Sequence, residues 1–240
     1  MTNVSAGRDL DAILRRVRVV LLDFDGPVCA VFAGVGDTPI ADHLRASLND
    51  AGYPTNGTDQ LGPHGVLAYA ATLDQAAAHI VEAELAAAEL DAIQTATPTA
   101  GAREFLTACA DTGRPVVMAS NNNAEAIAAY LDRHQLRQLV AHIEGRDPDD
   151  ARRMKPNPWV IRRAVAHAAV PPRDAVLIGD AVTDIDAAHS ADVPVVGYAN
   201  KPGKAAGLQD ADAIATDMHE LADAVNAVGT APVAGQASDA

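Results

Sequence analysis

Residues 17–24 (VRVVLLDF) make a nearly uninterrupted apolar run, the pattern of a β-strand covered on both faces. The same signature returns at 115–119 (PVVMA), 175–178 (AVLI), 194–197 (PVVG) and 213–215 (AIA). Alanine-rich helical stretches lie between these runs, at 124–136, 158–169, 184–191 and 218–228. Strands alternating with helices predict an α/β fold, a parallel sheet with helices on both faces. Ligands bind such sheets beyond the carboxyl ends of the strands. The residues that directly follow each apolar run therefore carry the functional information.

One segment interrupts the alternation. Residues 30–97 contain no buried-strand pattern, and instead predict helices over 40–50, 66–71 and 73–94, with Thr72 and Gln75 spaced as a capping box at the start of the last. An all-helical insertion directly after the first strand reads as a lid over the site. It is strongly acidic: Asp37, Asp42, Asp50, Asp59, Asp74, Glu82, Glu84, Glu89 and Asp91 face Arg45 alone, a net charge of −8. These boundaries divide the chain into a core of residues 1–29 and 98–228, a cap of 30–97 and a small, polar tail of 229–240 expected to be disordered. A further short helix is expected over 9–16 before the first strand.

Composition sets the outer limits. A chain of 240 residues suits one α/β domain with an insertion. Its net charge of −14 argues against nucleic acid or an anionic membrane as the main partner. With no apolar run near eighteen residues and no basic-then-apolar start, a cytoplasmic protein is expected. Cys29 and Cys109 match no metal or redox spacing and are expected to be inert thiols.

Four groups of residues stand at the predicted strand ends and turns. The first run ends in Asp23-Phe24-Asp25-Gly26, where residues two apart share a face, so both carboxylates reach one site. Ser120-Asn121-Asn122-Asn123 offers a hydroxyl, amides and a helix amino terminus, a cradle for phosphate. Met154-Lys155-Pro156-Asn157-Pro158 presents a lysine before a helix. Gly179-Asp180-Ala181-Val182-Thr183-Asp184 sets two carboxylates four apart at a strand-to-helix turn.

In order and spacing these groups resemble the four motifs of the haloacid dehalogenase superfamily, and the resemblance runs from Val17 to Val228. The insertion is similar to the helical cap of its phosphoglycolate-phosphatase-like members. The resemblance implies a Rossmann-like core and a Mg²⁺-dependent phosphatase acting on a small phosphomonoester through an aspartyl-phosphate. It implies Asp23 as nucleophile and Asp25 as general acid and then base. It implies Mg²⁺ bound by the Asp23 carboxylate, the Asp25 main-chain carbonyl and the Asp180 carboxylate, with Asp184 orienting a metal water or Lys155 from just outside. Ser120, Asn121 (main chain or amide) and Lys155 would hold the phosphate. The chain departs from many such phosphatases at Pro27, where threonine is common, and at Cys29-Ala30-Val31, positions that shape the exit toward the cap.

A phosphomutase shares the chemistry as far as the aspartyl-phosphate and is the alternative within enzymes. A non-catalytic phosphate-binding protein is the alternative outside them. His43 and His64 in the insertion, and Lys201 and Lys204 in the loop after 194–197, are expected to be solvated, and Trp159 to pack in the core. A cap with so little positive charge predicts a neutral or cationic leaving group rather than a second anionic one.

Overall fold

The computed structural model describes residues 6–232. In chain order the strands are β1 (Val19–Leu22), β2 (Cys29–Ala30), β3 (Thr97–Pro98), β4 (Val116–Ala119), β5 (His142–Glu144), β6 (Ala175–Gly179), β7 (Val195–Tyr198) and β8 (Ala213–Ala215). The α-helices are α1 (Ala6–Leu14), α2 (Asp37–Asp50), α3 (Pro63–Leu73), α4 (Gln75–Ala92), α5 (Ala102–Asp111), α6 (Ala124–Arg133), α7 (Trp159–Ala168), α8 (Val182–His189) and α9 (Met218–Val228).

Six strands form one parallel sheet in the order β5-β4-β1-β6-β7-β8. The chain enters at β1 in the middle, builds outward through β4 and β5, then returns to the other side of β1 for β6, β7 and β8. This reversal opens a crevice at the carboxyl ends of β1, β4 and β6, where doubly wound sheets bind ligands.

The strands are apolar throughout because both faces are covered. Val20, Leu22, Val116, Met118, Val176 and Ile178 join one apolar cluster, while Val19, Leu21, Val117, Ala119, Ala175 and Leu177 join the other. The first face is covered by α1, α5 and α9, and the second by α7 and α8. Fully burying one such valine or leucine contributes about 1.5–3 kcal/mol, so these runs had no room for alternating polar residues.

The insertion folds as three helices, α2, α3 and α4, packed on one another. Its apolar interior, with Leu44, Leu48, Leu67, Val81 and Leu85, belongs to the same buried cluster as the first face of the sheet and as Phe24, Val28 and Phe32. A short antiparallel ribbon pairs Cys29 with Pro98 and Ala30 with Thr97, where the insertion leaves the core and returns.

Several local features differ from expectation. Asp74, not the Thr72–Gln75 pair, caps α4: its side chain accepts from the Ala77 N–H at 2.8 Å, and the Thr72 hydroxyl turns back to the Tyr69 carbonyl. Strand β5 and helix α5 are additional elements. Within the tail, residues 229–232 are described and held to the core, since the Ala231 N–H donates to the Thr112 carbonyl and Arg114 donates to the Gly229 carbonyl. Residues 233–240 lie outside the described residues. Cys29 and Cys109 are both buried and free. Among the described residues, no helix is long and apolar enough to cross a membrane.

Candidate active site

Asp23 stands one residue past β1, and its backbone N–H is still bonded to the Ile178 carbonyl of β6. Its Oδ1 accepts from the Phe24 N–H at 2.8 Å and lies 3.0 Å from the Lys155 Nζ. Burial pushes the Asp23 carboxyl up to about 7, against the opposing pull of the Lys155 ammonium, and the nearby Asp184 charge adds to the rise.

Lys155 is buried between two acids. Besides Asp23, its Nζ reaches Asp184 Oδ1 at 2.5 Å and donates to the Ala119 carbonyl at 3.0 Å. Burial alone would depress the ammonium, but Asp184 and Asp23 more than offset it and hold the group charged. The Asn121 amide fixes the lysine's backbone reciprocally: its Nδ2 donates to the Lys155 carbonyl at 3.1 Å and its Oδ1 accepts from the Lys155 N–H at 2.8 Å. Of the two routes by which Asn121 was expected to meet phosphate, the amide is thus occupied, whereas its main-chain N–H has no protein acceptor among the described residues. Ser120 is buried, exchanging hydrogen bonds with the side chain and N–H of Asn122, and Asn123 caps α6.

Asp180 and Asp184 lie at the β6-to-α8 turn. Asp184 is deepest, with Oδ1 on Lys155 and Oδ2 accepting from the Ala181 N–H at 3.0 Å. Carboxylate oxygens of Asp23, Asp180 and Asp184 lie within 4.8 Å of one another. Asp25 is not in that trio. Its Oδ1 accepts from the Val31 N–H at 2.9 Å, and burial raises its carboxyl above the ordinary range.

Two glycines make this crowding possible. Gly26 has φ +103, and a Cβ there would stand 2.4 Å from Asp180 Oδ2. A Cβ on Gly179 would stand 2.4 Å from the Asp184 carboxyl carbon. Gly26→Ala is therefore expected to displace Asp180 and lower kcat/KM about 100-fold, the scale of a roughly 1 Å misplacement in a reacting site. Steady-state kinetics beside thermal unfolding would separate this from misfolding.

A model of the haloacid dehalogenase-like hydrolases matches residues 17–192 of the sequence. The chain belongs to this family. Solved structures with the same fold include a predicted phosphatase from Clostridium acetobutylicum (TM-score 0.67, 20% identity, covering 88% of this chain and 99% of that one). They also include a predicted phosphoglycolate phosphatase from Haemophilus somnus (0.61, 19%, 87% and 97%). A third is CbbY from Rhodobacter sphaeroides, solved in complex with phosphate (0.62, 16%, 85% and 96%). A comparison with curated proteins finds no match.

Three contacts of this hydrolase differ from or add to what its sequence predicts. Lys204 is not a solvated loop residue: its Nζ pairs with Asp180 Oδ2 and donates to Asn200 Oδ1 at 3.1 Å. Arg146, fully buried after β5, joins core to cap by bonding Glu82 (2.6 and 3.0 Å) and Glu89 (3.1 and 3.0 Å) of α4. His64, expected to be solvated, is largely covered and reaches the same Glu89 at 3.2 Å. Glu89 in turn accepts from the Asn122 amide at 2.9 Å and the Asn123 N–H at 3.0 Å, so the cap holds the Ser120 loop directly.

The two glutamates on Arg146 behave differently. Burial works to raise Glu89, but the His64 hydrogen bond and the Arg146 charge prevail and bring it to about 2. Glu82 lacks the extra donors, and burial leaves it raised. His43 is exposed beside Glu84. Trp159 is partly buried, with the Arg153 and Arg163 guanidinium groups over its ring. A cavity of about 480 Å³ beside Val28, Thr99, Tyr130 and His219 includes none of the clustered acids.

Proposed function

We propose that this chain is a Mg²⁺-dependent phosphatase that hydrolyses a small phosphomonoester through a phosphorylated Asp23. The observation that carries the reading is the convergence of Asp23, Lys155, Asp180 and Asp184 at the carboxyl ends of β1 and β6. An ionised nucleophile among acids cannot approach a phosphate dianion unless fixed cations offset the repulsion.

The donor set suits a hard divalent cation. It is all oxygen, close-set, and kept open by Gly26. The Asp23 carboxylate, the Asp25 main-chain carbonyl and the Asp180 carboxylate would hold Mg²⁺. Asp184, with both oxygens already engaged by Lys155 and Ala181, suits an orienting place outside it. When bound, Mg²⁺ supplies positive charge against the phosphoryl oxygens as the transition state forms.

The side chains divide the remaining work. One Asp23 oxygen attacks phosphorus while the bond to the leaving oxygen breaks, and Asp25 gives its proton to that oxygen. Asp25, now ionised, takes a proton from water as the water oxygen attacks the acyl phosphate, releasing inorganic phosphate and Asp23. Its raised carboxyl suits the first of these duties. Lys155 and the Asn121 main-chain N–H hold the phosphoryl oxygens, joined by the Ser120 hydroxyl when its proton turns to them from Asn122 Oδ1.

The leaving group is neutral or cationic. The only arginine of the cap, Arg45, is engaged by the Thr58 and Leu61 carbonyls and Asp42. Arg146, beside the cap, is neutralised by Glu82 and Glu89. Neither is available to a second anionic group. A panel of phosphomonoesters tests the reading: activity is expected to vanish in EDTA and return with Mg²⁺, with kcat/KM highest for sugar, nucleoside or amino-alcohol esters. Preference for phosphoglycolate or a bisphosphate would refute the leaving-group assignment, and no hydrolysis across the panel would refute the phosphatase.

A further inference from the structure

Lys204 stands on a carboxylate that the proposed function gives to the metal, and nothing in the phosphatase chemistry requires a second lysine there. The residue opens a short 3-10 turn, Lys204–Gly207, entered through Gly203 in the left-handed region at φ +82. The turn is anchored by Leu208, buried in the second apolar cluster and packed close over Gly197 of β7. Lys204 is therefore delivered to Asp180 by the fold, rather than by chance contact of a solvated side chain.

The charges around it explain its place. Three carboxylates lie within 4.8 Å of one another, which is repulsive without compensation. Lys155 serves Asp23 and Asp184. Asp180, the carboxylate Lys155 does not reach, is served by Lys204, with the Asn200 amide 3.3 Å from the same Oδ2. An ammonium and a divalent cation on one carboxylate oxygen would repel each other. Lys204 also has somewhere to go, because Asn200 Oδ1 already accepts from it and its side chain is 27% exposed.

We infer that Lys204 is a built-in competitor for the metal: it neutralises Asp180 in the metal-free protein and is displaced toward Asn200 when a divalent cation binds. It is a positioning residue that weakens metal affinity and stabilises the metal-free fold. The inference rests on the metal site proposed above.

Calorimetric titration of the full chain with Mg²⁺, without substrate, tests it. Lys204→Met is expected to bind Mg²⁺ about tenfold more tightly, as removal of a like charge at contact distance predicts. It should also lower the Tm of the EDTA-treated protein while leaving the Mg²⁺-loaded Tm near that of the original chain. Lys204→Arg, which keeps the positive charge, should bind Mg²⁺ like the original chain. Lys201→Met, which removes the exposed lysine of the same loop, should do likewise. Equal or weaker affinity in Lys204→Met would overturn the role of Lys204 while leaving the phosphatase reading intact. Absence of Mg²⁺ binding in every protein would overturn both.

Discussion

Asp23→Asn is expected to lower kcat by about 10⁴-fold or more, the scale on which enzymes lose rate when the nucleophile is removed, and to do so without unfolding the protein. The structure separates these outcomes. Asp23 is buried, and its carboxyl is pushed from 3.8 up to about 7. Its ionised form is thus disfavoured in the folded state relative to the unfolded one. In the metal-free protein that penalty is absent below pH 4, where both states hold the proton. It grows as pH rises from 4 to 7 and stays constant above. Asparagine carries no such penalty, and Lys155 retains Asp184 at 2.5 Å. The Tm of metal-free Asp23→Asn should therefore equal or exceed that of the original chain, with a gain that widens from pH 4 to pH 7. A variant that keeps its activity would remove Asp23 from the chemistry.

Arg146→Met is expected to be the most destabilising of the substitutions considered. Its guanidinium holds Glu82 and Glu89 at the interface between α4 and the core, and its side chain and that of Glu89 are fully covered. Removing one partner of a buried ion pair costs about 3–5 kcal/mol because the others are left charged and unsolvated. For a chain of this size that corresponds to a fall in Tm of roughly 10 °C. Glu82→Gln and Glu89→Gln introduced together with Arg146→Met should recover much of the loss, since neutral amides no longer need the cation. A loss below about 1 kcal/mol in Arg146→Met would show that the junction does not depend on this cluster. The same substitution should weaken phosphate binding, because Glu89 also orients Asn122 and Asn123 beside Ser120.

The core was legible because strands covered on both faces leave continuous apolar runs, and because the doubly wound topology assigns function to their carboxyl ends. Asp23, Asp180 and Asp184 could be placed together on that basis, whereas Lys155, which follows no apolar run, joined them only through the resemblance to the family's motif order. Strand β5 was not legible: an edge strand of three residues, His142-Ile143-Glu144, is only partly buried and carries no apolar run. Asp74 ends α3 and caps α4, so its single residue hid a helix boundary.

The cap's acidity was harder still to interpret. Glu82 and Glu89 lie two turns apart on the face of α4 that also carries Val81, Leu85, Ala78 and Ala92, all buried. Charges on an otherwise apolar helix face were the available signal for a buried pair. Their partner Arg146 is 57 and 64 residues away, a distance across which no periodicity operates. Lys204 reaches Asp180 from the loop that follows β7, and a lysine in a Gly- and Pro-containing loop carries no mark of such a contact.

The proposed phosphatase chemistry turns on a covalent phosphoryl group on Asp23. It is tested most directly by mixing the Mg²⁺-loaded protein with a phosphomonoester it hydrolyses, quenching in acid within a single turnover, reducing with borohydride and mapping the peptides by mass spectrometry. Reduction converts an aspartyl-phosphate to homoserine. The predicted result is homoserine at residue 23 alone, dependent on substrate and absent from Asp23→Asn. Phosphate released during the same turnover without reduction at residue 23, or with homoserine at another aspartate, would contradict the mechanism.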